Sequence, residues 1–175
     1  IDGSIQFNYQ SVTDTQFIPG DEVAVGSFLF GNQIRPAIAS DSAGNSMVVW
    51  ESDGQAGPGD AIYGRRFDST GGAVDVASPL SPDGPHHLRP AVAMKATGDA
   101  VVAGLEDAAG QVWVQRCDSA GALVGTPIVA NTVFNFSTDD APSVVIDDTG
   151  AFAVSWGGGT AEGDTDGTVF RRFDA

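Results

Sequence analysis

The sequence holds a single cysteine, Cys117, so no internal disulfide can form and the fold does not depend on a cystine framework. Basic residues are scarce: eight Lys and Arg stand against 23 Asp and Glu, for a net charge of −15. So acidic a surface repels phosphate backbones and anionic lipid, which argues against nucleic-acid and membrane-surface partners. No apolar run approaches the ~20 residues needed to cross a bilayer, so no membrane insertion is expected. There is no basic segment followed by an apolar one of the secretory-signal type. An initiator Met is missing, and a start at Ile1 fits a processed product or a piece of a larger protein. No nucleophile elbow, zinc spacing, phosphate loop or dinucleotide fingerprint occurs. Carboxylates are abundant, yet nothing places two of them across a cleft as a glycosidase requires.

What the chain does have is glycine, proline and a repeat. Twenty-three Gly and nine Pro, with no long helix-period run, favour many short strands joined by tight turns. Pro36, Pro90 and Pro142 are spaced 54 and 52 residues apart, and eight residues after each stands a glycine, Gly44, Gly98 or Gly150. A short apolar strand lies between each proline and its glycine, and a second follows the glycine, ending in Trp50 and Trp156 in two of the three cases. The segments Asp41–Gly44, Lys95–Gly98 and Asp147–Gly150 therefore read as hairpin turns. A short polar side chain caps such a turn, and glycine supplies the positive φ. A third strand follows at Ala61–Phe67, Gln111–Cys117 and Thr168–Phe173. Further turns at Asp68–Gly71 and Asp118–Gly121 lead to weaker fourth strands near Ala73–Ala77 and Ala122–Ala130.

The expected architecture is all-β, built from antiparallel four-stranded repeat units of β-propeller-like kind. Residues 1–34 form a half unit, 35–88 the first full unit, 89–140 the second and 141–175 a partial third. Ile5–Tyr9 has the character of a third strand and Val23–Phe30 of a fourth. The chain thus begins with the second half of a unit and ends with three strands of another. Roughly three and a third units do not complete the usual ~4–8 blades, so a partial propeller, or a ring completed by strand sharing, is expected.

The run from Pro36-Ala-Ile-Ala-Ser-Asp41 through Val48-Val-Trp-Glu-Ser-Asp-Gly-Gln55 to Ile62-Tyr-Gly-Arg-Arg-Phe-Asp68 resembles a repeat of very large secreted bacterial proteins. Those proteins often carry calcium-binding glycine-rich or cadherin-like modules as well. The match covers residues 35–175, best in the first unit and poorest in the second. The resemblance implies an extracellular or cell-surface, propeller-like, non-catalytic repeat, with no defined ligand and no catalytic residues to transfer.

Among residues that could carry chemistry, the acidic loops come first. Asp53 and Asp60 bracket one; Glu162, Asp164 and Asp166 lie in another. Clustered carboxylates with flexible glycines suit Ca²⁺, which takes several hard oxygen ligands, although neither loop has EF-hand spacing. A solvated hairpin loop is the plainer reading. His86 and His87 invite a metal or catalytic reading, but neighbours on an extended chain point to opposite faces, so a solvent-exposed linker pair is expected. Cys117 takes the slot that Phe67 and Phe173 fill in the other units, which makes it a packing residue. Trp50 and Trp156 are core anchors by the same alignment. Arg65, Arg66, Arg116, Arg171 and Arg172 are expected to pair with neighbouring carboxylates. Asn135-Phe136-Ser137 is a glycosylation sequon only where the host has that pathway.

The function expected is an extracellular structural, assembly or surface-adhesion module that associates with copies of itself through shared strands. A carbohydrate-binding module is the alternative, and an enzyme comes third.

Overall fold

The computed structural model describes residues 20–82, 86–133, 141–159 and 167–175. Three antiparallel sheets follow one another along the chain. The first unit contains β1 (Gln33–Ser40), β2 (Ser46–Asp53), β3 (Asp60–Phe67) and β4 (Ser78–Pro79). The second contains β5 (His87–Met94), β6 (Ala100–Glu106), β7 (Gln111–Cys117) and β8 (Leu123–Val129). The third contains β9 (Ser143–Ile146), β10 (Phe152–Gly158) and β11 (Gly167–Phe173). Within each sheet the strands lie in chain order, so every unit is a plain meander. No helix occurs among the described residues.

The turns form as their residues dictate. Gly44, Gly98 and Gly150 take φ of 86°, 97° and 96°, a region that costs a side-chain-bearing residue dearly. Asp41 Oδ1 accepts the N–H groups of Ala43 and Asn45, and Asp147 Oδ1 those of Thr149 and Ala151. Asp68 and Asp118 cap the later turns in the same way. These bonds favour the carboxylate. The Asn45 amide leads in drawing the Asp41 pKa down, and the Thr70 and Thr149 hydroxyls lead for Asp68 and Asp147. Lys95 breaks the pattern and pairs instead with Asp99 across its own turn, 3.1 Å away.

Strand alternation decides how the sheets pack. On β2, Met47 and Val49 point toward the second unit, where they meet Ala100, Val102 and Trp113. On β6, Val101, Ala103 and Leu105 point the other way and meet Val144, Phe152, Val154 and Trp156 of the third unit. Each seam between units is a layer of side chains with its own core. The first strands β1, β5 and β9 bring the units together, and the turns continue the contact. Ser42 Oγ donates to the Ala96 carbonyl at 2.9 Å, and the Ala96 N–H reaches Asp148 Oδ1 at 3.4 Å. Ser42, Ala96 and Asp148 are equivalent positions, so the same step is taken twice.

Two departures from the expected pattern have local causes. The fourth strand of the first unit shrinks to Ser78–Pro79, with one isolated bridge between Phe67 and Ala73. Asp75 replaces the ladder there: its side chain accepts the Arg66 N–H, and its carbonyl accepts from the Arg65 guanidinium. The second departure is a register shift in β1 and β5, just before Pro36 and Pro90. Proline has no N–H to give the ladder. Arg35 and Arg89, immediately before the prolines, take φ of 52° and 53°, where non-glycine residues are uncommon.

Candidate functional site

Two places differ from repetitive packing: a polar pocket in the first seam, and the open faces at the two ends of the array.

The pocket begins with Glu51. Its slot holds Leu105 and Gly157 in the other units, yet the carboxylate is almost wholly buried. A buried charge needs compensation. Arg35 supplies it through Nη1, 2.7 Å from Oε1, and the strained backbone of Arg89 turns its N–H onto Oε2 at 3.2 Å. The bulge before each proline thus sends one Arg side chain and the other Arg main chain to the same carboxylate. His87 enters this seam from β5, opposite Glu106. Its ring stands edge-on to Trp113, with centroids 5.8 Å apart. His87 is 2% exposed and neither ring nitrogen has a partner in bonding geometry; the indole N–H of Trp113 is likewise unpartnered. Burial pushes the His87 pKa down, against smaller upward pulls from Glu106 and the Pro82 carbonyl. The expectation of an exposed histidine pair is therefore corrected. His86 is exposed, while the next residue, on the opposite face, is buried beside Trp113.

The same alignment accounts for Trp113. Trp50 lies across from Tyr63 on the first unit and Trp156 across from Val169 on the third. In the second unit Gly104 lies across from Trp113, and a Cβ at Gly104 would come within about 2.5 Å of the indole. Each unit keeps one indole on the same face, delivered in the second by the neighbouring strand. Cys117 is 2% exposed in the first seam, and burial, with Asp118 adding to it, pushes its thiol up to about 11.

The arginines do not mainly seek carboxylates. Arg65 donates to the carbonyls of Asp75 and Val25 and lies over the Phe67 ring at 5.7 Å. Arg171 donates to the Ala130 carbonyl and lies over Phe173 at 5.4 Å. Gln115 occupies the equivalent slot and donates to the Val124 carbonyl. Among the described residues, Arg172 alone of these five follows the expectation, 3.3 Å from Asp174.

At the ends of the array, the two outer faces differ. Val145 and Phe170 of the third unit are 63% and 72% exposed, above a groove of about 190 Å³ that Ala153 and Arg172 help to line. On the opposite face of the first unit, Trp50, Ala61 and Tyr63 are covered by Val25 and Ala77. A cleft of about 280 Å³ remains between Trp50, Phe28, Gln33 and Pro36. Leu29 and Phe30 are almost bare.

Of the proposed calcium ligands, Asp53 and Asp60 face each other at the ends of β2 and β3, where the Gly54 N–H bonds the Gly59 carbonyl to close the loop. Glu162, Asp164 and Asp166 lie outside the described residues, as does the Asn135 sequon. Among the described residues no three His, Cys, Asp or Glu side chains gather as a metal site.

No protein-family model matches the chain, and no curated protein does. A solved structure similar in part is the endo-arabinase from Bacteroides thetaiotaomicron VPI-5482, at 13% identity and a TM-score of 0.49. The likeness covers 82% of this chain and 56% of that one, so the chain spans little more than half of that structure's length.

Proposed function

We propose that the chain is a non-catalytic, extracellular structural repeat that assembles with copies of itself through shared strands into a β-propeller-like ring or array. The observation that carries the reading is the bare face of the third unit. Its counterparts on the first and second units are each roofed by the next unit, and among the described residues its sheet has three strands where theirs have four. Unpaired edges template pairing with another chain.

The N-terminal segment offers what that edge needs. The Val25 carbonyl receives Arg65 as the Ala130 carbonyl, at the end of a fourth strand, receives Arg171. Residues 20–30 thus lie against the first unit as the last strand of a preceding unit would. In this reading they belong to the sheet of β11 in a second copy, and the Trp50 face meets the bare Phe170 face across a new seam. Two copies joined this way supply six units, within the ~4–8 of propellers. Apolar seams with no convergent site among the described residues suit a module whose work is to present surface.

A chain lacking residues 1–30 tests the reading. A peptide spanning residues 20–31 should bind it, and a version with Phe170→Asp should bind the peptide weakly or not at all. Absence of peptide binding by a folded deletion variant would overturn shared-strand assembly.

A further inference from the structure

Among the described residues, the first seam holds a buried imidazole with no partner in bonding geometry, the Pro82 carbonyl exerting only a small upward pull on its pKa. We propose that His87 makes the junction of the first two units acid-labile: neutral, it fills the seam against Trp113, and protonated, it leaves the seam and loosens the two units at their loop end.

Repeat geometry separates this from ordinary core packing. Gln33 holds the equivalent position in the first unit, and its Oε1 accepts the Trp50 indole N–H at 2.8 Å. Glutamine there is polar, bonded and indifferent to pH. In the second unit the same slot carries an imidazole buried with both nitrogens unpartnered, beside an indole N–H that is also unpartnered. A neutral imidazole tolerates such a place; a cation does not, unless a carboxylate can turn to it.

Among the described residues, the charged groups around it are few. Glu106 lies opposite on β6, Glu51 faces the seam from β2, Arg35 on β1 already holds Glu51, and His86 and Arg89 flank on β5. Glu51 is committed to Arg35 and to the Arg89 N–H. Moving it toward a charged His87 would strip the compensation from Arg35 and release the strained Arg89 backbone. Glu106 is partly exposed, so its attraction is screened. With these described groups unable to serve it, the imidazolium swings outward, and the loop end of β5 moves with it.

The sign follows from linkage. With the folded pKa below the ordinary 6.5, the unfolded or opened state binds the proton more tightly. The seam is therefore at full strength above about pH 6.5 and weakens as pH falls from there toward the folded pKa. Over that interval the opening equilibrium grows up to tenfold per pH unit, the limit for one proton.

Two measurements decide it. In an NMR titration of the intact chain, the His87 imidazole should titrate clearly below 6.5; His87 titrating at or above 6.5 would overturn the proposal. In hydrogen exchange at pH 7 and pH 5, amides of β5 near His87 should lose protection at pH 5, whereas the β9–β10 amides of the second seam should not. His87→Gln should abolish that difference and His86→Gln should keep it. Equal acid sensitivity in the His87→Gln chain, or uniform loss across both seams, would also count decisively against it. Should His87→Gln fail to fold, the titration and exchange pattern of the unaltered chain still decide the matter by the same criteria.

Discussion

The second and third units present the same face toward the next position in the array, and the two faces meet opposite fates. Val114 on β7 is fully buried beneath the third unit, while Phe170, at the equivalent place on β11, is 72% exposed. Val101 is buried completely; its counterpart Ala153 borders an open groove. The strand pattern that makes the face apolar is written into both units, so it does not depend on whether a neighbour is present. A large apolar side chain left bare in a repeated packing slot is what supports the proposed neighbour from a second copy. At the opposite end of the array the corresponding demand is met within the chain, where Trp50 and Tyr63 are buried with Val25 and Ala77 packed against them.

Substitutions can sharpen that contrast, beginning with the buried side. Trp113→Ala empties the first seam beneath Gly104, and should cost ~3–5 kcal/mol of stability in chemical denaturation. A cost no larger than that of a surface change would mean the seam is not a packed layer. Cys117→Ser should cost ~1–3 kcal/mol by burying a hydroxyl without a partner. The native thiol should also resist a bulky maleimide, since burial raises its pKa to about 11. Rapid labelling would contradict that placement. On the bare side, Phe170→Ser should move the stability of the dilute chain by no more than ~0.5 kcal/mol, yet it should weaken self-association. The smallest effect concerns the turns. Asp41, Asp68 and Asp147 titrate below the usual carboxylate range, so the stability they add is present above about pH 4 and is lost as pH falls through their lowered pKa values. Asp68→Asn should flatten that acid limb slightly; an unchanged limb would remove Asp68 from the account.

Much of the fold can be read from the sequence because the repeat states it three times. The proline-to-glycine step, the Asp caps and the alternation of β2, β6 and β10 agree, and the slot shared by Phe67, Cys117 and Phe173 marks the cysteine as core. The polar pocket is hidden for the opposite reason: it exists only where the repeats disagree. Glu51 stands in a slot of Leu105 and Gly157, and its ties to Arg35 and Arg89 depend on a bulge with positive φ that a residue before proline rarely adopts. His87 reads as linker because it is buried beside Trp113, a residue of β7 distant in sequence, which no local pattern records. Charge alone makes the arginines read as ion-pairing, whereas Arg65 and Arg171 serve backbone carbonyls of the outer segments.

The most direct test of the shared-strand account is the mass of the chain in solution, measured by sedimentation across a wide concentration range. The account predicts assemblies at multiples of the 17.9 kDa chain, two copies where the ring closes, and a return to single chains when residues 1–30 are removed. A full-length chain that remains at 17.9 kDa at the highest concentration, with the deletion altering nothing but mass, would contradict it.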